Sequence, residues 1–285
     1  MFLLIIKEIH RRLKASVHVL STQETLNRIY LENKSISRFG DGEFNLVFGN
    51  SLKFQDYNDD ICDDLKRVLS DEDQNEACLI GVPFAMYSLN GFTRSSKLFW
   101  LKYFAQYGGE IRKYMNPSYG YCDSQISRIF INRSDKTQSK VFFDLWKNIW
   151  KDKNVVIFEG ELSRFGVGND LLDSTKSVKR VLCPSENAYR AYEDIFSYAL
   201  NLISVADLFL FSLGPTATIL AYDLSKYGIQ CIDTGNMDME YEWMKKGAVK
   251  QVAIKGKYTL EAENGTIVDD CTSDDYYRQI IKIIK

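Results

Sequence analysis

Short apolar runs that stop at a glycine, a proline or an acidic residue alternate with helix-like stretches along most of this chain. The clearest run is residues 155–158, four apolar residues followed by a polar, glycine-containing loop. An uninterrupted apolar run of this length is typical of a parallel strand that is buried on both faces. The alternation therefore predicts an α/β fold, doubly wound, with helices on both faces of a mainly parallel sheet.

The same patterns place the individual elements. A helix is predicted after Ser21, because its spacing from Glu24 resembles a capping box, and another is predicted from Ile61. We expect two further helices between Thr93 and Trp150. The remaining predictions are strands at 35–39, 78–82, 155–158, 178–183, 207–213 and 229–232, and helices at 186–201 and 216–227.

The N-terminal region has its own pattern. Apolar residues recur at helical spacing at Ile6, Ile9, Leu13, Val17 and Leu20, so we predict a helical segment over residues 1–34 followed by a single domain over residues 35–285. The first apolar run is too short to span a membrane and lacks a signal peptide's basic start. The helix is expected to dock on the core or on a second copy in a homo-oligomer; contact with a membrane surface or another partner is the alternative.

Composition excludes several classes of protein. The net charge is -2, so we expect no nucleic-acid partner, because binding to phosphate backbones needs a clustered basic excess. The six cysteines show no metal or disulfide spacing and are interpreted as reduced thiols of a cytoplasmic protein. The only histidines, His10 and His18, lie far from every glycine-rich or acidic cluster. Chemistry must therefore come from carboxylates, arginines, hydroxyls, backbone amides or an oxygen-ligated metal.

A glycine-rich loop follows the run at 155–158. It contains Gly160, Arg164, Gly166 and Gly168, and the chain is expected to restart as a helix near Asn169. Backbone amides, a helix N-terminus and a guanidinium all favour a phosphorylated ligand. An ordinary strand-to-helix connection is the alternative, since a single glycine pattern is a weak signal.

Two carboxylates, Asp41 and Glu43, flank Gly42 directly after the first predicted strand. Carboxylates two residues apart in a loop can share a hard divalent cation, so the pair predicts a Mg²⁺ or Mn²⁺ site. A turn whose acidic side chains face water or cap the next helix remains the alternative.

Polar residues also follow two later predicted strands. Gly214, Pro215 and Thr216 begin a predicted helix and form a second candidate anion contact. Asp233, Asp238 and Glu240 follow the strand at 229–232 and are candidates for a general base or a ligand, although acids in a helix's first turn also interact with its dipole. Asp123 and Arg128 are weaker candidates.

Five motifs, taken in order, closely resemble those of the GT-D-type bacterial glycosyltransferases, formerly a domain-of-unknown-function family. The resemblance runs from about Ser35 to Gly247. The segments that carry it are 38–43 (RFGDGE), 159–171 (EGELSRFGVGNDL), 183–188 (CPSENA), 214–218 (GPTAT) and 238–243 (DMEYEW).

The resemblance implies a Rossmann-like, metal-dependent enzyme that transfers a sugar, glucose in the characterised case, from a UDP-sugar to a glycan or glycoprotein acceptor of the bacterial surface. It implies that Asp41 and Glu43 hold Mn²⁺ or Mg²⁺. Asn236 stands where the family usually has a histidine; if that histidine contributes to catalysis or acceptor binding, its role is altered or lost here. The residues that the resemblance and the patterns together assign to the nucleotide sugar are Arg38, Gly40, Gly160, Arg164, Gly166, Gly168, Asn169, Asp170, Gly214, Pro215 and Thr216.

These observations lead to one mechanistic hypothesis. A cation held by Asp41 and Glu43 stabilises the departing diphosphate, Arg164 and the loop amides fix the phosphates, and Asp238 or Glu240 deprotonates the acceptor hydroxyl. A metal-dependent nucleotidyl or phosphoryl transferase is an alternative, although the chain lacks a P-loop pattern. A non-catalytic nucleotide-sugar-binding assembly subunit is the other alternative.

Overall fold

A computed structural model describes residues 4–9 and 17–285 of the chain. Within these residues one eight-stranded sheet has the order β3-β2-β1-β7-β6-β4-β5-β8, and every strand pair is parallel. The strands are β1 Ser35–Arg38, β2 Cys78–Val82, β3 Cys122–Asp123, β4 Asn154–Gly160, β5 Ser177–Cys183, β6 Leu208–Ser212, β7 Gln230–Asp233 and β8 Ile280–Ile283.

Helices connect most of the strands. Residues 4–9 are also helical, and short 3₁₀ turns lie at Phe84–Met86, Ser124–Ser127, Ala188–Ala191 and Ile203–Val205. The α-helices are α1 Thr22–Leu31, α2 Asp41–Val47, α3 Asp59–Ser70, α4 Arg94–Tyr114, α5 Thr137–Ile149, α6 Tyr192–Leu200, α7 Pro215–Ser225, α8 Met237–Lys245 and α9 Asp274–Gln279.

The central strand β4 shows how the sheet is covered. Ile157 packs in one buried cluster with Trp146 of α5, whereas its neighbour Phe158 packs in another with Ile195 of α6 and Leu220 of α7. Because successive side chains of a strand point to opposite faces, both faces of the sheet carry helices. The predicted doubly wound α/β fold with a parallel sheet is confirmed.

The six predicted strands are all present, and both bonds of the capping box between Ser21 and Glu24 form at the start of α1. Strands β3 and β8 were not predicted. The predicted helix near Asn169 is wrong, because residues 161–176 form turns that lead directly to β5. Positive φ angles at Arg164, Gly166 and Gly168 leave the right-handed helical region there.

The N-terminal prediction is met in part. Residues 4–9 are helical, but Val19 forms a parallel bridge with Tyr121, so the helix does not continue to Leu20. His10 and Leu13 lie outside the described residues. Leu26 of α1 is buried in the same cluster as Ile36 of β1; the division at residue 34 stays a prediction.

Two further findings concern the whole described chain. No helix within residues 4–9 and 17–285 has the length and apolar character that crossing a bilayer requires. The six cysteines are all unpaired, and five of them are buried, which agrees with their interpretation as reduced thiols.

Candidate functional site

The carboxyl ends of the strands lie at one edge of the sheet, because all the strands are parallel. Four neighbouring strands, β1, β7, β6 and β4, end there at Arg38, Asp233, Ser212 and Gly160. The loops that follow them contain the acidic turn, the start of α8, the start of α7 and the glycine-rich loop. The structure thus places the predicted motifs side by side along the edge where doubly wound folds bind ligands.

Arg38 connects the end of β1 with the end of β7 and with the 3₁₀ turn Ser124–Ser127. Its Nε and Nη2 donate to the backbone oxygen and to Oδ1 of Asp233, each at 2.7 Å. Its Nη1 donates to Ser127 Oγ at 2.7 Å and to the Ser124 carbonyl at 3.0 Å. A Cβ on Gly235, whose φ is +47°, would lie 2.0 Å from Arg38 Nη2. Glycine at this position leaves room for the guanidinium, and nucleotide-sugar binding by Arg38 stays a prediction.

The two acids of the turn have different surroundings. The Glu43 carboxylate accepts the Gly40 amide at 2.7 Å, and burial, followed by repulsion from Asp233, raises the pKa of Glu43 to about 7. Asp41 is exposed in the first turn of α2, and no donor within the described residues hydrogen-bonds its carboxylate. Glu43 therefore caps the helix, as the alternative interpretation expected, while Asp41 keeps its oxygens available.

These residues fit a divalent cation that a ligand also coordinates. Carboxylate oxygens suit Mg²⁺ and Mn²⁺, and magnesium sites commonly use one or two carboxylates together with substrate phosphates. Within the described residues, no group of three or more histidines, cysteines, aspartates or glutamates is placed to hold a metal. Two carboxylates are fewer ligands than a divalent cation takes, and a metal site at Asp41 and Glu43 stays a prediction.

The start of α7 adjoins the glycine-rich loop. Gly214 has a φ of +55°, and a Cβ there would lie 2.6 Å from a Phe54 ring carbon. The Thr216 hydroxyl is buried and has no hydrogen-bond partner within the described chain. A cavity of about 60 Å³ lies between the ends of β4, β5 and β6, and its lining includes Gly160, Ser185 and Gly214. Two predicted anion-binding loops therefore share one cavity.

The glycine-rich loop is held by its polar residues. Gly166 has a φ of +71°, and a Cβ there would lie 2.5 Å from Leu172. Arg164 Nη1 donates to the carbonyls of Gly256 and Asp269 at 2.9 and 2.7 Å. Asp170 accepts from Lys147, Tyr241 and Lys245, and the Lys147 bond is the largest cause of its lowered pKa. Both charged side chains are thus engaged within the protein; their roles in binding a nucleotide sugar stay predictions.

The two candidate bases on α8 differ in the oxygens that they leave free. Asp238 accepts the Gly166 amide and Asn169 Nδ2 on Oδ1, and Lys257 Nζ on Oδ2 at 2.6 Å.

Glu240 is fully buried, and its Oε2 accepts the amides of Phe130 and Ile131 at 2.8 and 2.9 Å. Its Oε1 has no hydrogen-bond partner within the described residues, and burial raises the pKa of the carboxyl. Glu240 therefore has a free acceptor atom, whereas both oxygens of Asp238 are occupied.

One cluster at this edge was only partly predicted. Glu261 accepts Arg128 Nη1 on one carboxylate oxygen at 2.5 Å and Asn236 Nδ2 on the other at 2.7 Å. Arg128 was a weak candidate, and Glu261 was not predicted because it lies in an irregular segment with no motif around it. Asp123, the other weak candidate, is buried and accepts from Thr22 and Gln125.

Comparison with known protein families identifies one matching family model. The family model described as "Glycosyltransferase GT-D fold" matches residues 36–262, a range that contains every motif that carried the resemblance.

Two curated relatives from streptococci are much longer than this chain. "Glycosyltransferase GlyD" of Streptococcus pneumoniae serotype 4 is 34% identical over 265 residues, which are 93% of this chain and 32% of the relative. "Probable glycosyl transferase Gly" of Streptococcus gordonii is 34% identical over 266 residues, which are 93% of this chain and 38% of the relative. The chain thus spans about a third of the length of these curated relatives.

Solved structures are similar over almost the whole chain. One, described as a domain of unknown function 1792 with a distinct glycosyltransferase fold, is 34% identical with a TM-score of 0.90, and the match covers 99% of this chain and 100% of the other. Another, described as a new glycosyltransferase from Streptococcus sanguinis, is 33% identical with a TM-score of 0.86, and the match covers 94% and 100%.

Proposed function

This chain belongs to the glycosyltransferase family with the GT-D fold, and from that premise we propose that it transfers a sugar, glucose or a similar hexose, from a UDP-sugar to a hydroxyl of a glycan. The supporting observation is the shared carboxyl edge of β1, β7, β6 and β4. The turn with Asp41 and Glu43, the loops that follow β4 and β6, and the helix that carries Glu240 all follow strands that end at this edge.

The donor diphosphate is proposed to bind between the acidic turn and the cavity beside Gly160 and Gly214. Asp41 and Glu43 would hold Mn²⁺ or Mg²⁺, and such a cation would neutralise charge that develops on the leaving UDP. Pro215 has no N–H, and the Ala217 amide bonds to the Gly214 carbonyl. The Thr216 amide and the buried Thr216 hydroxyl, which has no hydrogen-bond partner within the described residues, are therefore the proposed donors to a phosphate oxygen at the start of α7.

Glu240 is the proposed general base, and Asp238 is the second choice. The acceptor hydroxyl would lose its proton to Glu240 Oε1 while its oxygen bonds to the anomeric carbon and the bond from that carbon to the diphosphate breaks. A carboxyl with a raised pKa is better matched to proton transfer near neutral pH than an ordinary one. Asp238 would first have to release Lys257.

The acceptor is proposed to be a glycan or a glycoprotein of a bacterial surface, modified in the cytoplasm where nucleotide sugars are made. This proposal follows the family resemblance alone; the longer streptococcal relatives are named only as glycosyltransferases. Contact of the N-terminal helix with a membrane or partner, and homo-oligomerisation, are further proposals.

The test is an assay of the purified chain with UDP-glucose, UDP-galactose or UDP-N-acetylglucosamine, with and without Mn²⁺, in the presence of a sugar acceptor. Release of UDP together with a glycosylated acceptor supports the proposal. Release of the sugar 1-phosphate, with UMP transferred to the acceptor, would instead identify a nucleotidyl transferase. Stabilisation by UDP and Mn²⁺ in a thermal-shift measurement, with neither transfer nor donor hydrolysis, would identify a non-catalytic binding subunit.

A further inference from the structure

Arg128 makes fewer side-chain hydrogen bonds within the described residues than Arg38 and Arg164, the two other arginines considered at this edge of the sheet. We propose that Arg128 binds the diphosphate of the donor, and that Glu261 holds its guanidinium until a nucleoside diphosphate takes the carboxylate's place. This inference rests on the proposed function and identifies a ligand-contacting residue of the same site.

The backbone around Arg128 is fixed at the edge of the sheet. Arg128 follows the 3₁₀ turn Ser124–Ser127, and Arg38 of β1 donates to both ends of that turn. The charges of Glu261, Glu240 and Asp41 all act on the Arg128 guanidinium. Phe130, two residues after Arg128, donates its amide to Glu240, so Arg128 follows the same edge of the sheet as the proposed base.

The three arginines of this region differ in the donors that they have left. Arg38 uses Nε, Nη1 and Nη2 within the protein, and Arg164 is 7% exposed with its Nη1 on two carbonyls. Arg128 uses Nη1 alone within the described residues, and its side chain is 33% exposed. A guanidinium carries five N–H donors, so most of those on Arg128 are available to a ligand.

Glu261 is suited to be exchanged for a phosphate. It belongs to the irregular segment between α8 and α9, which is also held by Lys257 and Arg164, so the segment can stay in place when one ion pair opens. Its second oxygen would keep the bond from Asn236 Nδ2. A diphosphate carries more charge than a carboxylate and matches the guanidinium fork with two parallel bonds.

The experiment is isothermal titration of the chain with UDP and, separately, with uridine, both in the presence of Mn²⁺. Arg128→Gln is expected to weaken UDP binding about tenfold or more while uridine binding is unchanged, because only UDP carries the phosphates. Arg128→Lys should fall between. Glu261→Gln should tighten UDP binding severalfold in the wild-type background and have no effect in an Arg128→Gln background.

The control is Arg278→Gln, which breaks an exposed arginine–aspartate pair on α9 and should leave both affinities unchanged. Unchanged UDP affinity in Arg128→Gln, or equal weakening of UDP and uridine, overturns the inference while the proposed function stands. A wild-type chain that binds neither UDP nor a UDP-sugar overturns the proposed function, and this inference with it.

Discussion

Lys257 Nζ lies 2.6 Å from Asp238 Oδ2, and the two side chains are only 4% and 7% exposed. The same carboxylate accepts the Gly166 amide and Asn169 Nδ2 on its other oxygen. One buried ion pair therefore joins the first turn of α8, the glycine-rich loop and the irregular segment after α8. This junction fixes the glycine-rich loop against α8.

Removing the ammonium should destabilise the chain strongly. Lys257→Met leaves the Asp238 carboxylate buried without its cation, and we expect the free energy of unfolding to fall by about 3 kcal/mol. Lys245→Met is the control, because Lys245 pairs with Asp170 at an exposed position of α8, the helix that carries Asp238, and its loss should change stability far less. Urea unfolding of both variants measures the difference. Equal effects would show that the buried pair contributes no more than the surface pair.

Ionisation of Glu43 should make stability depend on pH. Its pKa is about 7 in the folded chain, compared with an ordinary value of 4.5, so the folded chain binds this proton more tightly than the unfolded chain. The stabilisation of the folded chain that this proton gives is fully present below about pH 4.5 and is lost as the pH rises through about 7. Glu43→Gln should remove this part of the pH dependence of the free energy of unfolding, as measured by urea unfolding from pH 4.5 to 8.

Glu24 provides the matched control for Glu43. It occupies the same third position of its helix and accepts the amide of its N-cap, but its pKa is lowered, first by the Ser21 side chain. The stabilisation that ionised Glu24 gives is present above the pKa of the unfolded chain and is lost as the pH falls. The pH dependence of stability therefore has the opposite sign from that of Glu43. Similar pH slopes for Glu43→Gln and Glu24→Gln would contradict the assignment to burial and Asp233.

The sheet could be predicted because each main strand has a local signal. A glycine follows the apolar runs of β4 and β6 within three residues, and Pro83 directly follows β2. Two-residue β3 and the exposed edge strand β8 carry no such pattern and form through pairing with distant strands. The helix predicted near Asn169 is also wrong because of contacts with distant residues. Asn169 bonds to Asp238 and Glu242, which lie about seventy residues away, and the backbone follows those contacts instead of a helix.

The residues of the candidate site could be predicted from motifs, but their hydrogen-bond partners could not. Asp41 and Glu43 looked equivalent in the sequence, yet only Glu43 closes back on the Gly40 amide. Asp238 and Glu240 also looked equivalent, and their difference arises from Lys257 and from the amides of Phe130 and Ile131. Such partners are far apart in the chain, so no local pattern identifies them.

Gly235 is needed because of the space that Arg38 occupies. Gly235→Ala would combine a positive φ with a Cβ 2.0 Å from the guanidinium, so Arg38 must move away from Asp233. Gly228 also has a positive φ, +82°, but its Cβ would meet nothing within 4 Å. We expect Gly228→Ala to cost about 1 kcal/mol of stability and Gly235→Ala clearly more, as measured by urea unfolding. Equal losses would show that backbone strain alone explains glycine at position 235.

Asp41 should be required for metal-stimulated transfer and not for folding. Its side chain is exposed and has no hydrogen-bond donor within the described residues, so Asp41→Asn should leave the thermal unfolding midpoint nearly unchanged. Loss of one of two anionic ligands should lower Mn²⁺-stimulated release of UDP about 100-fold and raise the Mn²⁺ concentration that gives half of the maximal rate.

Asp274 is the matched control for Asp41, because it is also an exposed aspartate at the first position of a helix, and Asp274→Asn should leave the rate unchanged. Removing a negative charge from a helix N-terminus affects both variants in the same way, so a difference between them reports the cation site alone. If Asp41→Asn keeps the wild-type rate and Mn²⁺ dependence, Asp41 is not a metal ligand, and the acidic turn serves only to cap α2.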